Sequence, residues 1–332
     1  MKKEILKKEI LKEVKLLNSN LLFADGVSRT GKAMLSSILL GFENISNINF
    51  FYQLEQLLPM YAHGHMSKNA ISSYLRLHLN ELVYNTQISR NINFRPSDLT
   101  SVLNTANSRD YYINLMKLDG DEIIKNIDGN ATILQFQTHN ILTEFKLFHS
   151  LELNIKLIEL FRDPIDTVYS WYKRGWGKRF DNEDPRSFTT LFSYKDKTIP
   201  HYVIGQEDEY FSLNEVEKTI FMHNHLIKKS IAEYNQLNKL EKENILLITY
   251  ENILQNTNLE IKRISQFIKK SPSYYMPKAM ELARVPRQVK FKEKRLEKFN
   301  EIKNLTTKKY LIDELLNLSK EYNNNLYGLK II

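Results

Sequence analysis

The 332-residue chain carries 47 basic and 39 acidic side chains, a formal charge of +8, with 42% apolar and 26% charged residues and only 10 glycines and 8 prolines; this is the composition of a folded protein with a core to bury, not of a disordered chain. The absence of cysteine excludes disulfides, thiolate metal sites and cysteine nucleophiles. The positive balance steers polyanions, phosphorylated cofactors or acidic glycans toward the surface, but with no basic block interleaved with aromatics and no zinc or helix-turn-helix signature, nucleic acid is not expected as a partner.

Residues 1–17, MKKEILKKEILKEVKLL, repeat the unit KKEIL and place Ile5, Leu6, Ile10, Leu11, Val14 and Leu17 on one side of an amphipathic helix. Such a helix more often packs on its own domain than forms a coiled-coil contact, as in a homo-oligomer, or lies on a membrane surface. It lacks the apolar core and small-residue cleavage site of a signal peptide, and no run reaches the ~20 apolar residues of a membrane span. A cytoplasmic protein without a transmembrane segment is expected.

The stretch 21–40, LLFADGVSRTGKAMLSSILL, reads as a strand over 21–24, a turn over 25–31 and a helix whose Met34, Leu35, Ile38 and Leu39 face a core. A loop that opens a helix presents backbone N–H groups and the positive end of the helix dipole, so an anion is the expected ligand. The spelling GVSRTGKA nearly satisfies G-x-x-x-x-G-K-[ST], but Ala33 stands where the metal-holding hydroxyl belongs. Its methyl group cannot ligate magnesium, which weakens a nucleotide-hydrolase reading.

Beyond the loop, 48–52 reads as a short strand and 53–125 as mostly helical, with polar connections at 62–69 and 93–98. His63 and His65 have no third ligand beside them, so no metal site is expected. ATILQFQ (131–137) is a strand ending in Thr138, His139 and Asn140, at the carboxyl edge where open parallel sheets bind ligands. IKLIELF (155–161) is a further strand, followed by the turn Arg162, Asp163, Pro164 and a helix over 165–173. Arg162 at the strand end and Ser170 on that helix converge on one phosphate if the helix folds back. Residues 174–215 form a long irregular excursion with short elements, the kind of segment that makes lids and binding loops. A helix over 215–238, a strand over 243–250, a helix over 258–269, a basic cluster ARVPRQVKFKEKR at 283–295 and a helix over 308–322 complete the chain. Apolar strands alternating with helices give an α/β fold: a central parallel sheet flanked by helices.

Taken together, SRTGK at 28–32, LIELFRDPIDTVYSWY at 157–172 and ILLITYENILQNTNLEIKRISQFI at 245–268 resemble the sulfotransferase family that uses 3′-phosphoadenosine 5′-phosphosulfate, over roughly 20–295. The resemblance implies a P-loop NTPase-like sulfotransferase fold, with the domain over 18–295, the helix of 1–17 before it and a helical extension over 296–332 packed on it. It places Ser28, Arg29, Thr30, Gly31, Lys32 and Ala33 around the 5′-phosphosulfate. Arg162, Ser170 and Arg284 or Arg287 fall at the 3′-phosphate, and Tyr250 near the adenine. His139 takes the place of the catalytic base, with Arg29 and Lys32 stabilising charge. Two positions depart from the family pattern: Gln137 replaces the Lys of K-T-H, and the 283–295 cluster has no glycine. The implied reaction moves a sulfuryl group to a hydroxyl or amine of a glycan or small metabolite, without metal, in a site lined by 60–128 and 174–212. Competing readings are a P-loop phosphotransferase or nucleotide kinase, favoured by Gly26, Gly31 and Lys32, and an inactive nucleotide-binding protein, motivated by Gln137.

Overall fold

In the computed structural model, which describes residues 11–117, 120–125, 132–181, 184 and 187–329, five strands form one parallel sheet. These are β1 (Leu21–Asp25), β2 (Asn49–Phe50), β3 (Leu134–Gln137), β4 (Ile155–Phe161) and, last in the chain, β7 (Ile245–Thr249). Their order is β2-β3-β1-β4-β7. Beside the sheet, β5 (Leu191–Tyr194) and β6 (Lys197–Pro200) form a small antiparallel hairpin inside the long excursion.

The strands read as continuous apolar runs because both faces of the sheet are covered. Leu21 and Phe23 of β1, Leu157 and Phe161 of β4, and Ile245 and Leu247 of β7 join one buried cluster, under the helices Pro164–Tyr172 and Glu215–Gln236. Leu22 and Ala24, Ile158 and Leu160, and Leu246 and Ile248 alternate into a second, under the helices Lys32–Leu39, Thr257–Ile268 and Met276–Ala283. Period-two alternation thus feeds two cores at once. Among the described residues no helix is long and apolar enough to cross a membrane.

Two expectations at the chain ends are corrected. Residues 11–17 carry no helix and are tied to the helix Lys68–Gln87, where Asn80 accepts from Leu17 N (2.7 Å) and donates to Lys15 O (2.9 Å); residues 1–10 lie outside the described residues. The boundary at 295 falls inside a helix, Phe291–Asn304, whose sequence FKEKRLEKFNEIKN is too polar for an apolar stripe to announce it. That helix is anchored by charge instead. Arg295 pairs with Asp163 and Asp166 (both 3.1 Å) and with Glu251 (3.3 Å), and Ser319 and Asn323 from the helix Lys309–Asn325 donate to Asp163 at 2.8 and 2.7 Å.

Candidate active site

The chain leaves β1 at Asp25 and turns through 26–31 into the helix Lys32–Leu39. Both glycines of the turn are required by close approach. A Cβ on Gly26 (φ 133°) would lie 2.5 Å from the Leu160 carbonyl oxygen, and one on Gly31 (φ 107°) 2.5 Å from the Tyr250 ring, in a backbone region that other residues rarely enter. Side chains hold the loop carbonyls in place. Lys32 Nζ donates to Gly26 O and Val27 O (2.5 and 3.0 Å), Thr30 Oγ1 to Val27 O (3.0 Å), Trp171 Nε1 to Ser28 O (2.7 Å) and Arg162 Nη1 to Arg29 O (3.0 Å). Gly31 is the N-cap and no side chain bonds there, which leaves the first N–H groups of the helix to a ligand.

Cationic side chains gather over this loop. Arg29 Nε donates to Ser170 Oγ at 3.2 Å, so the helix after β4 lies against the loop. The Arg162 guanidinium lies 4.5 Å from the centre of the Tyr250 ring, and Arg287 Nη2 donates to Tyr250 Oη at 3.1 Å. Burial, then the nearby guanidinium groups of Arg174 and Arg162, push the Arg29 pKa down. Arg162 Nε is shut from solvent without a hydrogen-bond partner. An orphaned donor within a cluster of like charges fits a multiply charged anion such as a phosphate.

Across from the loop stands His139, just past the end of β3. Its Nδ1 lies 3.2 Å from Glu55 Oε1, within hydrogen-bond distance. In a neutral ring with the proton on Nδ1, Nε2 is the lone-pair nitrogen. The turn carrying His139 is clamped by Asp25, which accepts from Thr138 Oγ1 (2.8 Å) and from the backbone N–H groups of Ile141 (2.7 Å) and Leu142 (3.3 Å).

One cavity of about 630 Å³ is lined by Ser28, Arg29, Gly31, Lys32, Ala33, Gln137, His139, Arg162, Tyr250 and Arg287 together. Of the other expected residues, Thr30 is buried behind the loop, and Ser170 joins the site through Arg29. Arg284 stands apart. It occupies the left-handed cap (φ 56°) of the helix Met276–Ala283, exposed and off the cavity lining, so of the two arginines considered only Arg287 faces the cavity. Gln137 accepts from Ser36 Oγ at 3.3 Å, a neutral contact where a Lys would bring charge. His63 and His65 pack on the Phe192 ring of the hairpin, and no three His, Asp or Glu among the described residues are placed to hold a metal.

The sequence pattern that defines the sulfotransferase domain family matches residues 64–323, well over half of the chain. The chain belongs to the sulfotransferase family. Its structure is similar to the sulfotransferase domain from the curacin biosynthetic pathway (12% identity, 93% of this chain and 99% of that one, TM-score 0.42). It is also similar to a sulfotransferase from Alicyclobacillus acidocaldarius (12%, 90% and 95%, 0.38) and to the sulfotransferase domain of the Synechococcus PCC 7002 olefin synthase (11%, 95% and 98%, 0.41). Comparison with curated protein sequences finds no match.

This sulfotransferase also holds site residues that the sequence did not announce. Glu55, on the first turn of the helix Tyr52–Ala62, lacks any local motif, and only its meeting with His139 marks it. Asp25 had a readable signal as an acidic residue closing an apolar strand at the mouth of a ligand loop. Glu159 lies beside it across the β1–β4 register. Burial, then the neighbouring Asp25, hold Glu159 well above the usual carboxylate range, and Lys32 opposes that rise. Burial also pushes the Lys32 ammonium down to about 8, opposed by Asp25, Glu55 and Glu159. At neutral pH Lys32 stays charged.

Proposed function

We propose that this sulfotransferase transfers a sulfuryl group from 3′-phosphoadenosine 5′-phosphosulfate to a hydroxyl or amine of its acceptor, without a metal ion. The reading rests on one observation: the anion loop, the Arg162 and Ser170 contacts and His139 all converge on a single cavity. Loop N–H groups with Arg29 and Lys32 suit the 5′-phosphosulfate, and Arg162, Ser170 and Arg287 suit the 3′-phosphate. Tyr250, packed on Gly31 with Arg162 over its ring, is assigned to the neighbourhood of the adenine. The bound donor supplies an electrophilic sulfur and a phosphate leaving group.

In this scheme His139 Nε2 takes the proton from the acceptor as its oxygen or nitrogen bonds to sulfur and the sulfur–oxygen bond to the nucleotide phosphate breaks. General-base help of this kind is worth ~10²–10⁴ in rate. Arg29 and Lys32 face the charge that grows on the departing phosphate and on the sulfuryl oxygens. Ala33 is compatible with such chemistry, because fixed cations and N–H dipoles do the work of magnesium.

Thermal denaturation tests the donor assignment. Adenosine 3′,5′-bisphosphate at ~100 times its dissociation constant should stabilise the chain by about 2.7 kcal/mol, with no magnesium added and more than ATP does. Stabilisation by ATP that needs magnesium and exceeds the bisphosphate effect would sink the proposal in favour of phosphoryl transfer.

A further inference from the structure

We infer that Asp25 is a positioning residue for His139, fastening the turn that carries the base to the strand that opens the anion loop, with Glu159 beside it as a neutral partner; this rests on the reading of His139 as the base in sulfuryl transfer. Four hydrogen bonds tie that turn to the last two residues of β1. Thr138 N donates to Ala24 O (3.1 Å), Thr138 Oγ1 to Asp25 Oδ1 (2.8 Å), and the N–H groups of Ile141 and Leu142 to Asp25 Oδ2 (2.7 and 3.3 Å). His139 is therefore gripped from both sides in sequence, and three of the four bonds end on one carboxylate. The next residue after Asp25 is Gly26, where the loop 26–31 begins. Base and anion loop thus share a single anchor, so a ligand seated on the loop meets His139 at a set distance without a strand or helix having to move.

The hydrogen bonds also distinguish the two buried carboxyl groups. Asp25 is shut from solvent and receives three donors, two of them backbone N–H groups, which is the setting of an ionised carboxylate. Glu159 stands beside it across the β1–β4 register, equally buried, and its Oε2 has no hydrogen-bond partner in the protein. The nearby Lys32 ammonium donates to the carbonyl oxygens of Gly26 and Val27. Two adjacent carboxyl groups in a dry interior do not both ionise. The proton goes to Glu159, the one without donors, and Glu159 gives it in a hydrogen bond to Asp25, with which its side chain is in contact. The pair then carries one negative charge, which holds the turn, and no second charge lies beneath a loop built to receive an anion.

Three measurements on the full chain test this without a known acceptor. Hydrogen exchange reads the clamp: Asp25→Asn should speed exchange at the Ile141 and Leu142 amides and leave those of β7 at wild-type rates. Infrared difference spectra at neutral pH read the proton: the wild type should show a protonated-carboxyl band that Glu159→Gln lacks. Release of labelled sulfate from the donor to water reads the chemistry. There Asp25→Asn should lower kcat by ~10²-fold, the scale of a misplaced reacting group, with adenosine 3′,5′-bisphosphate affinity retained. Glu159→Leu should lose part of the rate and Glu159→Gln, which still donates to Asp25, should restore it. In a His139→Ala background Asp25→Asn should cost nothing further, because a residue that acts through another then has nothing left to place. Should Asp25→Asn fail to fold, Thr138→Val removes one bond to the same carboxylate and should give smaller effects of the same kind. Unchanged exchange at 141 and 142, no carboxyl band, or an equal loss of rate in the His139→Ala background would overturn the inference. If the bisphosphate binds and the losses are additive, sulfuryl transfer stands and the positioning role falls. If the exchange and infrared results hold in a chain that ignores the bisphosphate, the clamp stands and the donor reading falls.

Discussion

The two walls of the cavity are built on different principles. The wall proposed for the donor comes from the carboxyl ends of three adjacent parallel strands: the loop 26–31 follows β1, Arg162 follows β4 and Tyr250 follows β7. Sheet register alone brings these residues together. The opposite wall, proposed for the acceptor, gathers Phe50 from the end of β2, Glu55 from the helix after it, Phe188 and Thr190 from the excursion and His201 from beyond the hairpin. Ring stacking and isolated contacts hold it, such as Thr190 Oγ1 donating to Gln56 O at 2.9 Å. A wall fixed by backbone register is set for one ligand chemistry, whereas a wall fixed by side chains changes its acceptor by substitution without disturbing the sheet.

The sharpest break between the walls should come at His139, which reaches the acceptor side from a strand end. His139→Ala should cut sulfuryl transfer by ~10²–10⁴ and leave bisphosphate affinity unchanged, measured by single-turnover transfer and by calorimetry. A variant with wild-type turnover on a confirmed acceptor would make His139 a turn residue, and the base would have to be sought at Glu55.

Behind the donor wall, Arg295 holds Asp163, Asp166 and Glu251, the residues that begin the helices after β4 and β7. Arg295→Met leaves these carboxylates without their main countercharge and should destabilise the fold by ~3–5 kcal/mol. Burial already holds Asp163 and Glu251 above the usual carboxylate range, and Arg295 opposes that rise. Groups with raised folded-state values give stability at low pH that is lost as pH climbs through those values. Removing the guanidinium raises them further, so the deficit should be largest at neutral pH and shrink on acidification. Urea denaturation of both chains between pH 5 and pH 8, as approximate limits, reads this directly, and a deficit independent of pH would show that Arg295 acts by packing.

The donor wall should then yield a ligand-specific effect. Arg162→Ala should weaken adenosine 3′,5′-bisphosphate by ~1.5–3 kcal/mol, the worth of a charge-assisted hydrogen bond, while adenosine 5′-phosphate loses much less. Equal weakening of both nucleotides would remove Arg162 from the 3′-phosphate.

The same contrast explains what was legible in the sequence. Strand, glycine turn and helix are local patterns, so the loop at 26–33, the strand ends at His139 and Arg162 and the parallel sheet could all be read from periodicity and turn chemistry. Ser170 was singled out by its spacing from Arg162 and by the family resemblance together. Glu55 was not, because its meeting with His139 spans 84 positions and nothing beside either residue signals the other. The helix Phe291–Asn304 escaped for a related reason: its anchor is Arg295 on distant carboxylates, and charge pairing at long range leaves no periodic trace. Arg284 and Arg287 were indistinguishable in a basic run, and only backbone direction after the helix Met276–Ala283 sends one of them to the cavity.

The smallest expected effect joins the two walls through a single hydrogen bond. In the proposed scheme Glu55, 3.2 Å from His139 Nδ1, accepts from that nitrogen and keeps the lone pair on Nε2. Glu55→Gln preserves the shape but offers an amide that donates as readily as it accepts, so both tautomers of His139 become accessible. The loss should equal the net worth of one such bond, ~1 kcal/mol or roughly fivefold in kcat, with the acceptor KM and bisphosphate affinity unchanged. Nitrogen-15 spectra of the imidazole give the readout that separates positioning from packing: the wild type should show one protonated Nδ1, and the variant a mixture of the two ring forms. A fall in kcat with the wild-type tautomer retained would show that Glu55 acts on the acceptor itself. A mixed tautomer with full kcat would show that the base does not depend on its partner, and the two walls would then be coupled only through the substrates they hold.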